Sequence, residues 1–170
     1  TDREIYTRDE LIQIFTPEYL NAANAVFDEE KLEAFNREHI MRRSNHDLAV
    51  MVAPVLVDAG LATKYWLETR WKYLCDVIGV LKERVRRVTD FVAIGGYFFL
   101  SDLKYDPDAA TKNFNDEAAE LLEALAAHVE GLGDLTPENA EPAVNAGAEA
   151  QSVKKGRVIH PTQLAISGVP

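Results

Sequence analysis

The chain has 170 residues, of which 47% are hydrophobic and 27% charged, the balance of a globular domain and not of a disordered segment. It contains no apolar run of about 18 residues or more, which excludes a transmembrane helix in this sequence. The single cysteine, Cys75, excludes an internal disulfide and any multi-cysteine metal site. It also favours a reducing compartment, and we expect a cytoplasmic protein.

The formal net charge of −10 is unevenly distributed. Residues 1–40 carry 4 basic and 10 acidic groups, and residues 91–150 carry 2 and 12. Residues 41–90 carry 9 basic and 6 acidic groups, and residues 151–170 carry 3 and none. Two basic segments therefore lie in an acidic background, and a polyanion can contact these two alone. An ordinary solvated surface of mixed charge is the alternative, and composition does not separate the two.

The first predicted elements are helices with recognisable ends. The chain opens TDREIYTRDE, which lacks the basic and apolar regions of a secretory signal, and its Thr start indicates a fragment of a longer protein. Thr7 caps a short helix that ends before Pro17, and Asp28 opens a second one over residues 29–43. We expect Asn45 to cap a third helix, which Pro54 should kink or split.

The strongest periodic signal is an apolar seam whose members recur at spacings of 4, 3, 4, 3, 4 and 3 residues. This spacing predicts one long helix that forms the core of a first bundle. Its members are Leu67, Trp71, Leu74, Ile78, Leu81, Val85 and Val88.

The second half of the chain also reads as helical. Residues 101–107 form the best boundary, and helices are predicted from Asp106, over 116–132 and from Thr136. A basic linker at 154–157 then precedes a short helical turn from His160 to Gly168. The predicted fold is all-α, with two small helical bundles in tandem at residues 28–100 and 101–170.

Four stretches spread along the whole chain match one family in order and spacing. They are DREIY and DELI (2–6, 9–12), NAVFD and KLEAFNREHI (24–28, 31–40), LKERV, DF and YFF (81–85, 90–91, 97–99), and GRVIHP and LAISG (156–161, 164–168). Together they resemble the class I glutamyl-tRNA synthetases, in the portion that follows the catalytic domain.

The resemblance implies a tRNA anticodon-binding region that gives specificity for glutamate tRNA to an ATP-dependent aminoacylation. Residues 1–27 would end the stem-contact region, and residues 101–170 would lack the family's last element. The HIGH-type and KMSKS-type catalytic motifs are absent from this sequence, so we expect the chain alone to have no catalytic activity and no cofactor. ATP and Mg²⁺ are implied for the parent enzyme only. A helical protein-interaction module that keeps the fold without RNA recognition is the alternative.

The resemblance also implies a base-reading role for Arg84, the arginine of the LKERV stretch. A planar guanidinium can donate two hydrogen bonds to a base edge or stack on its face. Lys82, Arg86 and Arg87 surround it, with 82 and 86 on one helical face and 84 and 87 on another. They can hold phosphates or pair with the acidic second bundle, and both interpretations stay open.

Near the carboxyl end, Gln163 stands where the family commonly has an anticodon-contacting arginine, and it can hydrogen-bond a base without supplying charge. Lys154, Lys155 and Arg157 can supply that charge instead. Trp71 belongs to the apolar seam, so packing is its expected role, whereas base stacking stays open for Tyr65 and Trp66.

Overall fold

The computed structural model describes residues 3–20 and 26–169, and every regular element within these ranges is helical. The predicted all-α class is confirmed. The chain divides into two compact units, Thr1–Gly95 and Gly96–Pro170, while the predicted domain bounds at 27/28 and 100/101 stay predictions. Asp2, Asn24 and Ala25, which belong to the stretches quoted above, lie outside the described residues. No helix in the described ranges is both long and apolar enough to cross a membrane.

Side-chain caps start the helices of the first unit. Thr7 and Glu10 form a reciprocal capping box, in which each side chain accepts the other residue's backbone N–H. Asp28 caps the second helix as predicted, but the third is capped by Ser44, whose hydroxyl accepts the Asp47 N–H at 3.0 Å. The helices described in this unit are α1 (Arg8–Ile14), α2 (Glu29–Arg42), α3 (Asn45–Asp58), α4 (Lys64–Thr69), α5 (Trp71–Leu81) and α6 (Asp90–Gly95).

The core of the first unit lies between α3 and α5, with α6 packed against both. Most members of the predicted seam belong to it, and the only two that stay half-exposed are Trp71 and Val88. The buried seam residues are Leu67, Leu74, Ile78, Leu81 and Val85. The prediction that the seam forms this core is confirmed.

The prediction that the seam is one helix is wrong. The backbone breaks at Arg70 (φ −129°, ψ 32°), and α5 ends at Leu81. The seam residues on both sides of the break still lie on one face. The Arg70 N–H donates to the carbonyls of Trp66 and Leu67, which keeps the two helices nearly in phase. After a 3₁₀ turn over Lys82–Arg84, Val85 is extended and reaches the core without being helical.

Of the two predicted effects of Pro54, a split of α3 does not occur, and a kink stays a prediction. The helix is continuous from Asn45 to Asp58 with Pro54 inside it, although proline lacks the N–H that the preceding turn would accept. Val52 and Leu56, on either side of Pro54, are buried in the core. Tertiary packing of this apolar helix therefore outweighs the local cost of one backbone hydrogen bond.

The second unit is built from α8, α9 and α10, which pack on one another, and from α7, which packs on α10. Its apolar cluster joins Leu121 and Leu125 of α8 to Ala148 of α9 and Val158 of α10. The elements are a 3₁₀ turn (Gly96–Phe99), α7 (Pro107–Asn113), α8 (Asp116–Glu130), α9 (Pro137–Ala150) and α10 (Lys155–Ser167).

The start of α10 corrects a further expectation. Residues 154–157 were predicted as a linker, but α10 begins at Lys155 and runs through Gly156, His160 and Pro161. Burial of Val158 and Leu164 holds this helix against the second unit's core in spite of the two helix-breaking residues. The cationic residues of this stretch are therefore fixed on a helix and not carried by a loop.

The end of α10 requires a glycine. Gly168 has a φ of +79°, a left-handed conformation that terminates the helix, and its carbonyl accepts the Asp106 N–H at 3.0 Å. A Cβ at this position would lie 2.6 Å from the Lys104 carbonyl oxygen. This turn ties the end of α10 to the start of α7.

Candidate nucleic-acid interface

Arg84 occupies the 3₁₀ turn between two buried anchors. Leu81 and Val85 both insert into the core of the first unit, so the three residues between them are forced to the surface. The Arg84 side chain is exposed, and none of the described residues forms a hydrogen bond or ion pair with its guanidinium. The turn therefore presents one charged, planar donor group to solvent.

Lys82, in the same turn, is already engaged. Its ammonium donates to the Arg43 carbonyl, which caps the end of α2, and the residue is half-buried. A cation at the carboxyl end of a helix is favourably placed with respect to the helix dipole. The contact ties the turn to α2, which is a structural role.

Arg86 and Arg87 share one carboxylate on α2. The Arg86 guanidinium donates to Glu33 Oε2 at 2.9 Å, and that of Arg87 pairs with Glu33 Oε1 and, at 3.2 Å, with Glu29. Hydrogen bonds from Arg86 and then Arg87 hold the pKa of Glu33 below its ordinary value, and Glu33 in turn raises the pKa of Arg87. These acidic partners belong to the first unit itself, and pairing with the acidic second bundle stays a prediction.

The backbone after Arg84 is fixed as well. Asp90 Oδ2 accepts the backbone N–H groups of Arg86 and Arg87 at 2.8 and 2.9 Å, and the Asn36 side chain donates to the Arg86 carbonyl. Because the chain leaves the helix at Val85, which is extended, and Arg86 and Arg87 are not helical, the predicted helical faces shared by 82 with 86 and by 84 with 87 do not exist. The result separates Arg84 from its three cationic neighbours.

A second cationic surface lies in the second unit, in a groove of about 360 Å³ between α7, α8 and α10. Lys154, at the start of α10, is exposed, and no hydrogen bond or ion pair involves its ammonium within the described part of the chain. Lys155 pairs with Glu141 at 2.6 Å and Arg157 with Glu117 at 2.5 Å, all with exposed side chains. The polar side chains that line the groove are Lys112, Asn113, Asn115, Glu117, Lys154, Arg157 and His160.

Gln163 lies on the exposed side of α10, one turn beyond His160. Within the described ranges its amide side chain has no hydrogen-bond partner, whereas its backbone carbonyl accepts the Ser167 hydroxyl at 2.7 Å. The predicted site residues of the second unit therefore all lie on α10 or at its N-cap. Gln163 is the uncharged member of this group.

Sequence reasoning missed Glu33, Asp90 and Lys112. Glu33 lies more than 50 residues before the arginines that it binds, so no local pattern reveals the pairing. Asp90 accepts backbone N–H groups that precede it by four and three residues, in the manner of the third residue of a capping box. Lys112 joins the groove only through the packing of α7 on α10.

Comparison with known proteins identifies the family of this chain. The sequence model of the anticodon binding domain family matches residues 47–170. The chain therefore belongs to that family, and the protein-interaction alternative is not favoured.

The relatives agree with one another in their names. The chain is 30% identical to a glutamate–tRNA ligase of Flavobacterium psychrophilum over 168 residues, which is 99% of its length. It is 35% identical to glutamate–tRNA ligase 2 of Rubrobacter xylanophilus over 169 residues, which is 98% of its length. These matches cover 32% and 34% of the two relatives, so the chain spans about a third of their length. The predicted resemblance to glutamyl-tRNA synthetases is confirmed.

A solved structure shows the same likeness in three dimensions. The crystal structure of a glutamate tRNA ligase from Elizabethkingia meningosepticum in complex with its amino acid superimposes with a TM-score of 0.76 and 27% identity. The match covers 95% of this chain and 31% of that one.

Proposed function

We propose that this chain is the part of a glutamate–tRNA ligase that binds glutamate tRNA through its anticodon, while catalysis takes place in a portion of the parent protein outside these residues. Membership of the anticodon-binding family supports this proposal, as do the names of the relatives. Because the chain spans about a third of those relatives, substrate and activity are proposed for the whole enzyme and not for this chain by itself.

The single observation that carries the proposal is the availability of Arg84. Its three cationic neighbours are each bonded to a carbonyl or a carboxylate, so recruiting them for RNA would break existing contacts. Arg84 can donate its hydrogen bonds at no such cost. A bidentate guanidinium contact to a base edge discriminates between bases, whereas a phosphate contact does not.

The cationic groove of the second unit supports a complementary contribution to affinity. Lys154 and Lys112 supply point charges suited to phosphate oxygens, and the exposed pairs of Lys155 and Arg157 are weak enough to exchange partners. Gln163, on the exposed side of α10, can donate and accept hydrogen bonds, and any contact that it makes with RNA is electrically neutral.

The parent reaction would use ATP and Mg²⁺ to activate glutamate. We assign no residue of this chain to that chemistry. Its proposed contribution is selection of the tRNA, so the isolated chain is expected to bind RNA but to show no ATP–pyrophosphate exchange.

A gel-shift titration of the 170-residue protein tests the proposal directly. Glutamate tRNA and an unrelated tRNA are titrated in parallel at low and at moderate salt. The proposal expects tighter binding of glutamate tRNA, with a difference that persists when salt screens the phosphate contacts. Equally poor binding of both RNAs at low salt would overturn it.

A further inference from the structure

One aromatic and basic segment has no part in the site described above. Residues 64–73 read K-Y-W-L-E-T-R-W-K-Y, with four aromatic residues and three cationic ones against a single carboxylate. Leu67 is the buried residue on α4, and Leu74 directly after the segment is buried on α5. These two anchors hold the segment on the core while most of its other side chains face solvent.

The break at Arg70 organises this surface. It brings the Arg70 guanidinium to 5.3 Å from the centroid of the Trp66 ring, and the Tyr73 ring meets Trp66 edge-on at 5.8 Å with an interplanar angle of 83°. Tyr65 stands beside them, 75% exposed, and its ring has no aromatic or cationic partner in the described part of the chain. We call Tyr65, Trp66, Arg70 and Tyr73 the aromatic surface.

We infer that the aromatic surface binds unpaired nucleotides of single-stranded RNA by stacking, as a contact separate from Arg84. Aromatic rings and arginine planes stack on bases whatever their sequence, and nearby cations hold the backbone. Lys64 and Lys72 flank the surface, and the Lys72–Asp76 ion pair is too exposed to prevent Lys72 from exchanging partners.

The charge of the surface favours RNA over an apolar protein partner. The segment carries a net charge of +2 within a chain of net charge −10, and its cations alternate with aromatic residues along the sequence. An apolar partner would have to desolvate Lys64 and Arg70 without compensation. A polyanion with exposed bases satisfies the rings and the charges together.

The aromatic surface and Arg84 lie at opposite ends of α5. The helix has 11 residues, which corresponds to a length of about 16 Å, so the two sites cannot contact one base together. The inference rests on the proposed RNA-binding function for its class of ligand, but it depends on different residues and can fail separately.

Fluorescence anisotropy with a short single-stranded oligoadenylate tests the inference. Tyr65→Ala should raise the dissociation constant by about tenfold, the loss expected for one stacked base. Tyr65→Phe keeps the ring and should bind as the unmodified chain does. Since Tyr65 is exposed, the thermal midpoint of both variants should be unchanged. Equal affinity of Tyr65→Ala and the unmodified chain would overturn the inference.

Two further comparisons separate this contact from the others. A duplex RNA, whose bases are already stacked, should bind more weakly than the single strand, and equal binding would mean phosphate attraction without stacking and would overturn the inference. Val80→Ala, at an exposed position of α5 outside both sites, should leave oligoadenylate affinity unchanged, and a loss equal to that of Tyr65→Ala would contradict the assignment of the contact to the aromatic surface. If glutamate tRNA shows no preference but the Tyr65 effect remains, the proposed function fails and the stacking contact stands.

Discussion

The turn after α5 and the start of α10 each concentrate cationic residues, but the two regions leave them in different states. After α5, Arg86 and Arg87 share Glu33, whose side chain is only 22% exposed, and Lys82 caps α2. At the start of α10, Lys155 and Arg157 each pair with one carboxylate at the surface, and Glu141 is 72% exposed. Similar numbers of cations therefore do not provide similar amounts of available charge.

The difference has a consequence for RNA binding. In the first unit, fixed pairs surround one available guanidinium, which suits recognition of a single base. In the second unit, Lys154 lines a groove together with the exchangeable Arg157–Glu117 pair, which suits phosphate contacts of low specificity.

The largest effect is expected from the cores on which the two regions depend. Leu74→Ala in α5 and Leu164→Ala in α10 remove fully buried side chains, and each should lower the free energy of unfolding by about 2–5 kcal/mol. The matched changes Val80→Ala and Ile166→Ala, at exposed positions of the same helices, should cost less than about 0.5 kcal/mol. Urea denaturation measures all four, and equal losses within a pair would contradict the assigned core.

Removing the carboxylate that Arg86 and Arg87 share should make these arginines available to phosphates, as the cations of the second unit are expected to be. Glu33→Gln removes the shared carboxylate of Arg86 and Arg87 and should increase affinity for any RNA. The salt dependence should steepen by about 0.7 for each guanidinium that reaches a phosphate on a single strand.

Glu30→Gln is the control for this change, because it removes the same charge from α2 and no hydrogen bond or ion pair within the described residues involves the Glu30 side chain. Binding titrations over a range of salt concentrations give the slopes. If Glu33→Gln and Glu30→Gln change affinity and slope equally, the arginines were not held by Glu33.

The smallest effect concerns pH and the capping box of α1. The Thr7 N–H and the Arg3 guanidinium lower the pKa of Glu10 from 4.5 to about 2. A lowered pKa in the folded state means that the stabilisation is complete above about pH 4.5 and is lost as the pH falls towards about 2. Thermal melts of the unmodified chain and Glu10→Gln should therefore converge across this window, and a constant difference between them would contradict the contacts.

Several features of this fold were predictable because they depend on local patterns. Thr7, Asp28 and Gly168 end or begin helices through their own chemistry, and the 3–4 spacing of the seam reports burial directly. The continuity of α10 was not predictable in this way, because Gly156 and Pro161 disfavour a helix locally and only tertiary burial of Val158 and Leu164 outweighs them.

The candidate site was predictable to a different extent. Family resemblance, and not periodicity, singled out Arg84. The state of its neighbours depends on Glu33, whose contact with Arg86 and Arg87 exists only in the folded chain. Residue type alone therefore did not distinguish the four cations. In the structure, Arg84 is available for a ligand, whereas the other three already have partners within the chain.

The central claim is that Arg84 reads a base while its paired neighbours do not. The direct measurement is the ratio of dissociation constants of this chain for glutamate tRNA and for the same tRNA with an altered anticodon. Arg84→Ala should reduce that ratio by an amount equivalent to about 1–3 kcal/mol, whereas Arg86→Ala should leave it unchanged. If Arg84→Ala weakens both RNAs by the same factor, Arg84 contacts phosphate and the account is contradicted.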